Sequence, residues 1–268
     1  RYDKEELARK RQEQTGIDTG LIGAWSCLES CWSYRAHYCA EAELVDRWVG
    51  RILQKVDDMA LWDNTIVVFT SDNGGRSSLV KKPGETCNLP LRAGKGWCYE
   101  GGIRVCSIIK AAGVTEPGSV CDTPIIGMDY YPTLLELTGC KPKPEQHKDG
   151  VSLVPLLGGG KIGDRPLFWH YPHYASYGCG PYSAIRSGDW KYFRNTSHYT
   201  WPMPTNKKLG RLANHTTGPA PLLFNLRTDP GEAYNLAPRN PGIVAEMEAA
   251  MTAWEAQMEA SPLGFTGL

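Results

Sequence analysis

The sequence predicts an α/β protein: a mixed sheet flanked by helices, then a small antiparallel sheet packed on a C-terminal helix. Three observations lead there. Residues 65–70 run Thr65, Ile66, Val67, Val68, Phe69, Thr70, a β-branched and aromatic stretch that reads as a buried strand. Residues 40–60 place Leu44, Val45, Trp48, Val49, Ile52, Leu53, Val56 and Met59 at three- and four-residue spacing, which is an amphipathic helix with a packed stripe. Beyond Asp164, strand–helix alternation gives way to successive strand candidates at 166–170, 182–187, 190–194 and 222–226, with Ser187-Gly188-Asp189 and Asp229-Pro230-Gly231 as turns.

In chain order, residues 4–14 carry a charged helical pattern and lead through a Gly-rich stretch in which Asp18 reads as a loop residue. The amphipathic helix feeds the 65–70 strand, which stops at Asp72-Asn73-Gly74-Gly75. Residues 76–90 are polar, contain Pro83-Gly84 and predict a flexible loop. A second apolar strand runs through Ile108 and Ile109, and residues 123–139 predict a short strand and then a helix with Asp129 near its start, Pro132 in its first turn and Gly139 as its stop. Gly158-Gly159-Gly160-Lys161 marks a hinge, so the domains are expected at 1–160 and 161–268. A final helix at 241–258, with Asn240 as cap, lines up Ile243, Met247, Met251, Trp254 and Met258 to cover the small sheet.

Composition narrows the function classes. A chain of 268 residues should bury roughly three quarters of its unfolded surface, and 29 basic against 29 acidic residues give no electrostatic footprint for nucleic acid or an anionic membrane. No apolar run approaches the ~18 residues of a membrane span, and the first residues do not read as a signal peptide. The absence of an initiator Met leads us to expect a chain that starts inside a longer protein. Nine cysteines, odd in number and without zinc-ligand spacing, predict no metal site. Asn195-Thr196-Ser197 and Asn214-His215-Thr216 fit the glycosylation acceptor pattern and are compatible with secretion.

The chemistry-bearing residues cluster after the first strand. Asp72 and Asn73 put two hard oxygen donors side by side, which suits Ca²⁺ or Mg²⁺, and the C-terminal end of a strand is where open α/β sheets bind ligands. Lys95 stands between Gly94 and Gly96, where an ammonium can be aimed at an anion; a surface lysine in a turn is the plain alternative. Glu100 and Arg104 are candidates for a pair that braces this loop. In the aromatic stretch at 168–174, His170 and His173 are candidate substrate contacts; the rings around them suit a sugar face or a packed core equally.

These blocks, in this order, resemble the sulfatases of the alkaline phosphatase superfamily: DNTIVVFTSDNGG (63–75), LRAGKG (91–96), YEGGIRV (99–105), DYYPTLLELTG (129–139), DGVSLVPLL (149–157), FWHYPHY (168–174), AIRSGDWKYF (184–193) and LFNLRTDPGEAYNLA (223–237). The resemblance implies an alkaline-phosphatase-like fold, of which this chain is the C-terminal part, and metal-dependent hydrolysis of a sulfate monoester, with a sulfated carbohydrate as the expected substrate. It implies Asp72 and Asn73 as metal ligands for Ca²⁺ or Mg²⁺, Lys95 as catalytic and substrate-binding, and a segment around His170 and His173 that borders the substrate. Family members use a formylglycine made from Cys or Ser; Cys31 does not fit, because Ser33 stands where Pro or Ala belongs and the motif lies far upstream in the family. The nucleophile is therefore expected before Arg1, and the chain by itself is expected to be inactive. The family implies a secreted or periplasmic location. A phosphomonoester or phosphonate hydrolase of the same superfamily, and a carbohydrate-binding relic without catalysis, are the other readings.

Overall fold

The computed structural model describes residues 32–76, 78–79, 82–83, 86, 88–171, 182–194 and 221–259. Two compact units emerge: Glu41–Asp72 with Val105–Arg165, and Asn73–Arg104 with Pro166–Leu268, the latter also taking in Arg1–Ala40.

In the first unit, α1 (Trp32–Asp58) ends in a 3-10 turn at Trp62–Asn64 that leads into β1 (Val67–Thr70). β4 (Ser107–Lys110) pairs antiparallel with β1, Val67 opposite Lys110 and Thr70 opposite Ser107; the hairpin β2 (Ser78–Leu79) and β3 (Lys82–Pro83), in the stretch expected to be loop, belongs to the second unit. The 65–70 strand is thus shorter than its sequence suggests. It is also not buried: Val68 and Phe69 on β1 and Ile108 on β4 are exposed, since each strand pairs with the other alone among the described residues. The apolar stripe of α1 differs likewise, with Leu44, Val45, Trp48 and Ile52 exposed and only Val49, Leu53 and Val56 half-buried. Spacing makes a helix amphipathic, but burial needs a second layer over the stripe.

The remainder of this unit is organised by Asp129. Its carboxylate accepts the N–H of Ile126 at 2.9 Å and of Val151 at 3.0 Å and pairs with Arg165, while Thr133 donates to its carbonyl and accepts the N–H of Leu153 at 2.8 Å. Residues 127–129 form a 3-10 turn into α3 (Tyr130–Leu137), numbered after the one-turn α2 (Glu100–Ile103), and Gly139 stops the helix at φ +69°. The short strand expected before it does not form, because the N–H of Ile126 is taken by Asp129 rather than by a neighbouring strand. A single turn, α4 (Val154–Leu157), follows.

The second unit is built on a four-stranded antiparallel sheet in sequence order: β5 (Leu167–Tyr171), β6 (Tyr182–Ser187), β7 (Trp190–Arg194) and β8 (Leu222–Asn225). Helix α5 (Pro241–Glu259) covers one face, as the sequence predicts, with Met247 and Met251 buried against Ile185, Tyr192 and Leu223. The Phe168 ring stacks on Trp254 at 4.7 Å and 6°. Asn240 stands at the cap position, its carbonyl accepting the Val244 N–H at 3.1 Å, while its side-chain amide donates back to the Leu236 carbonyl. The other face receives Ala93, Trp97, Cys98 and Tyr99 against Tyr182, Ala184, Phe193, Leu222 and Phe224. Because side chains alternate along a strand, one ladder serves both layers. No helix among the described residues is long and apolar enough to cross a membrane.

Candidate active site

The segment bearing Lys95 is held from below by aromatic rings. Trp97 and Tyr99 are fully buried, and Tyr99 meets Phe193 at 5.1 Å; burial on this scale contributes on the order of 1.5–3 kcal/mol per side chain. With its C-terminal flank sunk in the core, Lys95 itself is exposed. Ala93 at φ +60° and Gly96 at φ +89° form a tight turn around it. A left-handed alanine is uncommon and costs backbone energy, so the surroundings must enforce it.

They do so through the Asn73 loop. The Asn88 carboxamide accepts the Gly75 N–H at 3.1 Å and donates to the carbonyls of Gly75 at 2.8 Å and Ala93 at 2.9 Å. The Lys95 N–H donates to Gly75 at 3.2 Å, and the Gly74 N–H donates to Gly102 at 2.8 Å. A Cβ on Gly74 would stand 1.8 Å from the Gly101 carbonyl oxygen, so only glycine lets the two loops approach this closely. The Asn73 amide donates to Gly74 at 2.9 Å. The structure therefore brings the Asn73 loop and Lys95 together, within one unit, at the level of the backbone.

Asp72, the residue before Asn73, is exposed. Its carboxylate and the Asn73 carboxamide are the donor types that hard divalent cations take, in a loop whose glycines add no bulk. Among the described residues no group of three or more His, Cys, Asp or Glu could hold a metal ion.

His170 lies elsewhere. It sits on β5 beside Phe168 on the helix-covered face, with Nδ1 2.9 Å from Ser183 Oγ and 3.9 Å from Glu255 Oε1. Ser183 in turn donates to Glu255 at 2.6 Å, and Arg194 pairs with Glu248 and Glu255. These contacts join sheet to helix, on the face opposite the one that receives the Lys95 segment. His173, Cys31, Asp18 and both glycosylation triplets lie outside the described residues.

Under the Lys95 segment is a buried ionic cluster that sequence reasoning missed. Glu100 is braced by Lys191 at 2.9 Å and Arg186 at 3.7 Å, not by Arg104, whose N–H merely closes the α2 turn onto the Glu100 carbonyl. Lys191 also meets Glu232 at 3.0 Å. Glu100, Lys191 and Glu232 are all fully buried. Burial pushes Glu232 up to about 7, with Lys191 opposing the rise and Glu100 adding to it. For Lys191, burial acts to lower the ammonium's pKa, but the two carboxylates outweigh it and hold the group above its usual value. Cys98, buried beside the cluster, is pushed up to about 12 by desolvation. In the sequence, Lys191 reads as one polar position in a strand; nothing local marks it as buried.

The structure is an α/β one in which the Asn73 loop and the Lys95 segment are joined through their backbones. Residues 2–140 match the family model described as Sulfatase, and residues 163–266 match the model described as C-terminal region of aryl-sulfatase. The chain belongs to the sulfatase family. It is 35% identical over 239 residues to a sulfatase of Formosa agariphila, covering 82% of this chain and 39% of that protein. Human arylsulfatase A is 35% identical over 212 residues, covering 77% and 40% respectively. The crystal structure of Ps i-CgsB in complex with k-i-k-neocarrahexaose superposes with a TM-score of 0.65 at 28% identity, covering 82% of this chain and 43% of that one. The chain thus spans about two fifths of the length of the curated relatives it matches.

Proposed function

We propose that this protein takes part in hydrolysis of sulfate monoesters, with Lys95 as the residue that contacts the transferring group. The observation carrying this reading is the bond network that sets Lys95 beside the Asn73 loop: Asn88 bridging Gly75 and Ala93, and the Lys95 N–H on Gly75. An exposed ammonium on a backbone fixed at both flanks provides positive charge without reorganisation at the moment of reaction. It would bind a sulfate oxygen and stabilise charge on the bridging oxygen as the alcohol departs.

Asp72 and Asn73 would contribute oxygens to a Ca²⁺ ion, or Mg²⁺, which when bound neutralises charge on the sulfonyl group. The family resemblance supports a formylglycine nucleophile that the described residues do not contain. We therefore infer that this chain by itself lacks turnover. A sulfated carbohydrate is the proposed substrate, supported by the complex of Ps i-CgsB with k-i-k-neocarrahexaose; the contacts of His170 favour a bracing role over a substrate one. Secretion or a periplasmic location belongs to the same proposal.

The test is hydrolysis of an aryl sulfate beside the matching aryl phosphate in the full-length protein, with and without chelator, for wild type and Lys95→Ala. Chelator-sensitive sulfate release that drops about a hundredfold or more in the variant is the expected result. Preference for phosphate would move the protein to the phosphoesterase branch of the superfamily, and an unaffected variant would remove Lys95 from the mechanism.

A further inference from the structure

The turn at 228–235, Thr-Asp-Pro-Gly-Glu-Ala-Tyr-Asn, has the composition of a surface turn, yet its glutamate is fully buried. The turn is built to insert that side chain. Asp229 accepts the N–H groups of Ala233 at 2.8 Å and Tyr234 at 2.9 Å, and Asn235 accepts those of Leu223 and Ala237 at 3.0 Å each, tying the turn to β8. Glu232 itself is held at φ +51°, a conformation that costs a glutamate backbone energy and is enforced by its surroundings.

What Glu232 reaches are the two ends of the Lys95 segment. Its Oε2 accepts the Glu100 N–H at 2.6 Å, and its carbonyl accepts Nη1 of Arg92 at 2.8 Å. The Gly101 N–H donates to the Arg92 carbonyl at 2.8 Å, closing the segment into a loop with Lys95 inside it. The Arg92 guanidinium lies over the Tyr99 ring at 4.2 Å, pressing the two arms of the loop together. Oε1 of Glu232 meets Lys191 on the sheet beneath. One side chain and its own carbonyl thus fasten both arms of the loop to the sheet.

We propose that Glu232 is a positioning residue that sets the Lys95 loop in the geometry that binds a sulfate oxyanion. This rests on the reading of Lys95 as the sulfate contact. Glu232 acts through hydrogen bonds to Arg92 and Glu100 and touches no substrate.

The experiment is titration of the chain with inorganic sulfate, followed by amide and side-chain NMR shifts, for wild type, Lys95→Ala, Glu232→Gln and the double variant. In wild type the Lys95 and Glu100 amides should shift with one midpoint. Glu232→Gln should weaken sulfate affinity about tenfold and should add nothing in the Lys95→Ala background. A purely electrostatic role would do the reverse, since removing a carboxylate strengthens anion binding, and a general structural role would leave the affinity of the folded fraction unchanged. Either result overturns the proposal. If Lys95→Ala retains wild-type affinity, or wild type shows no shift at Lys95, the sulfate reading of Lys95 fails and takes this proposal with it. Loss of binding in Lys95→Ala but not in Glu232→Gln removes Glu232 alone. Should Glu232→Gln not fold, the wild-type titration decides: a sulfate shift at Lys95 without one at Glu100 counts against the coupling.

Discussion

Lys191 Nζ stands 2.9 Å from Glu100 Oε1 with both side chains buried, so an ammonium on β7 joins the sheet to the segment that bears Lys95. Removing one partner of a buried ion pair leaves charge without compensation, which costs about 3–5 kcal/mol. Lys191→Met should lower unfolding free energy by about that much in urea titrations at pH 7.5. The loss should shrink in acid, where the abandoned carboxylates take up protons. A Lys191→Met protein as stable as wild type would show that the cluster is not an energetic unit.

Glu232 gives stability a pH dependence of definite sign. Burial raises its pKa from 4.5 to about 7, so the folded protein keeps a proton that the unfolded chain has lost. The stabilisation is fully present below about 4.5 and is lost as the pH rises through about 7. Thermal unfolding followed by circular dichroism should give a midpoint that declines between pH 5 and 7 in wild type more steeply than in Glu232→Gln. Parallel curves would place the titration elsewhere. Lys191, raised from an already basic value, contributes nothing in this window.

Gly74 and Gly50 should respond in opposite directions. A methyl at Gly74 meets the Gly101 carbonyl at 1.8 Å, backbone against backbone, whereas one at Gly50, inside α1, meets nothing within 4 Å. Gly50→Ala should stabilise by about 0.5–1 kcal/mol through helix propensity, and Gly74→Ala should destabilise and abolish the protection of the Gly74 and Lys95 amides in hydrogen exchange. Retained protection in Gly74→Ala would contradict the close approach.

The Phe168–Trp254 stack should be measurable as a coupling. A double-mutant cycle with Phe168→Leu and Trp254→Leu should return about 0.5–1.5 kcal/mol beyond additivity, read from chemical denaturation. Additive losses would mean that the two rings contribute independently and the stack carries no coupling of its own.

Much of the architecture was legible from local pattern. The small sheet appears at β6 (Tyr182–Ser187) and β7 (Trp190–Arg194) with the bounds the sequence predicts, because alternation and the Ser187-Gly188-Asp189 turn are local properties. Helix α5 and its methionine stripe follow from 3.6-residue periodicity for the same reason. Of the candidate site, the Asp72-Asn73 and Lys95 blocks stand out because glycines and oxygen donors mark the backbone around them. The role of His170 was not legible, since an aromatic neighbourhood looks the same whether the strand face meets a sugar or a helix.

The sequence by itself determined which segments become strands and helices, where the glycines permit tight approach, and the family to which the chain belongs. Tertiary structure alone decided that β1 and α1 expose apolar faces, that Glu100 pairs with Lys191 across 91 residues rather than with Arg104 one turn away, and that Glu232 fastens both arms of the Lys95 loop. The physical reason is one of range. Propensity and periodicity act over a few residues, whereas burial of a charge depends on which distant segment arrives to compensate it.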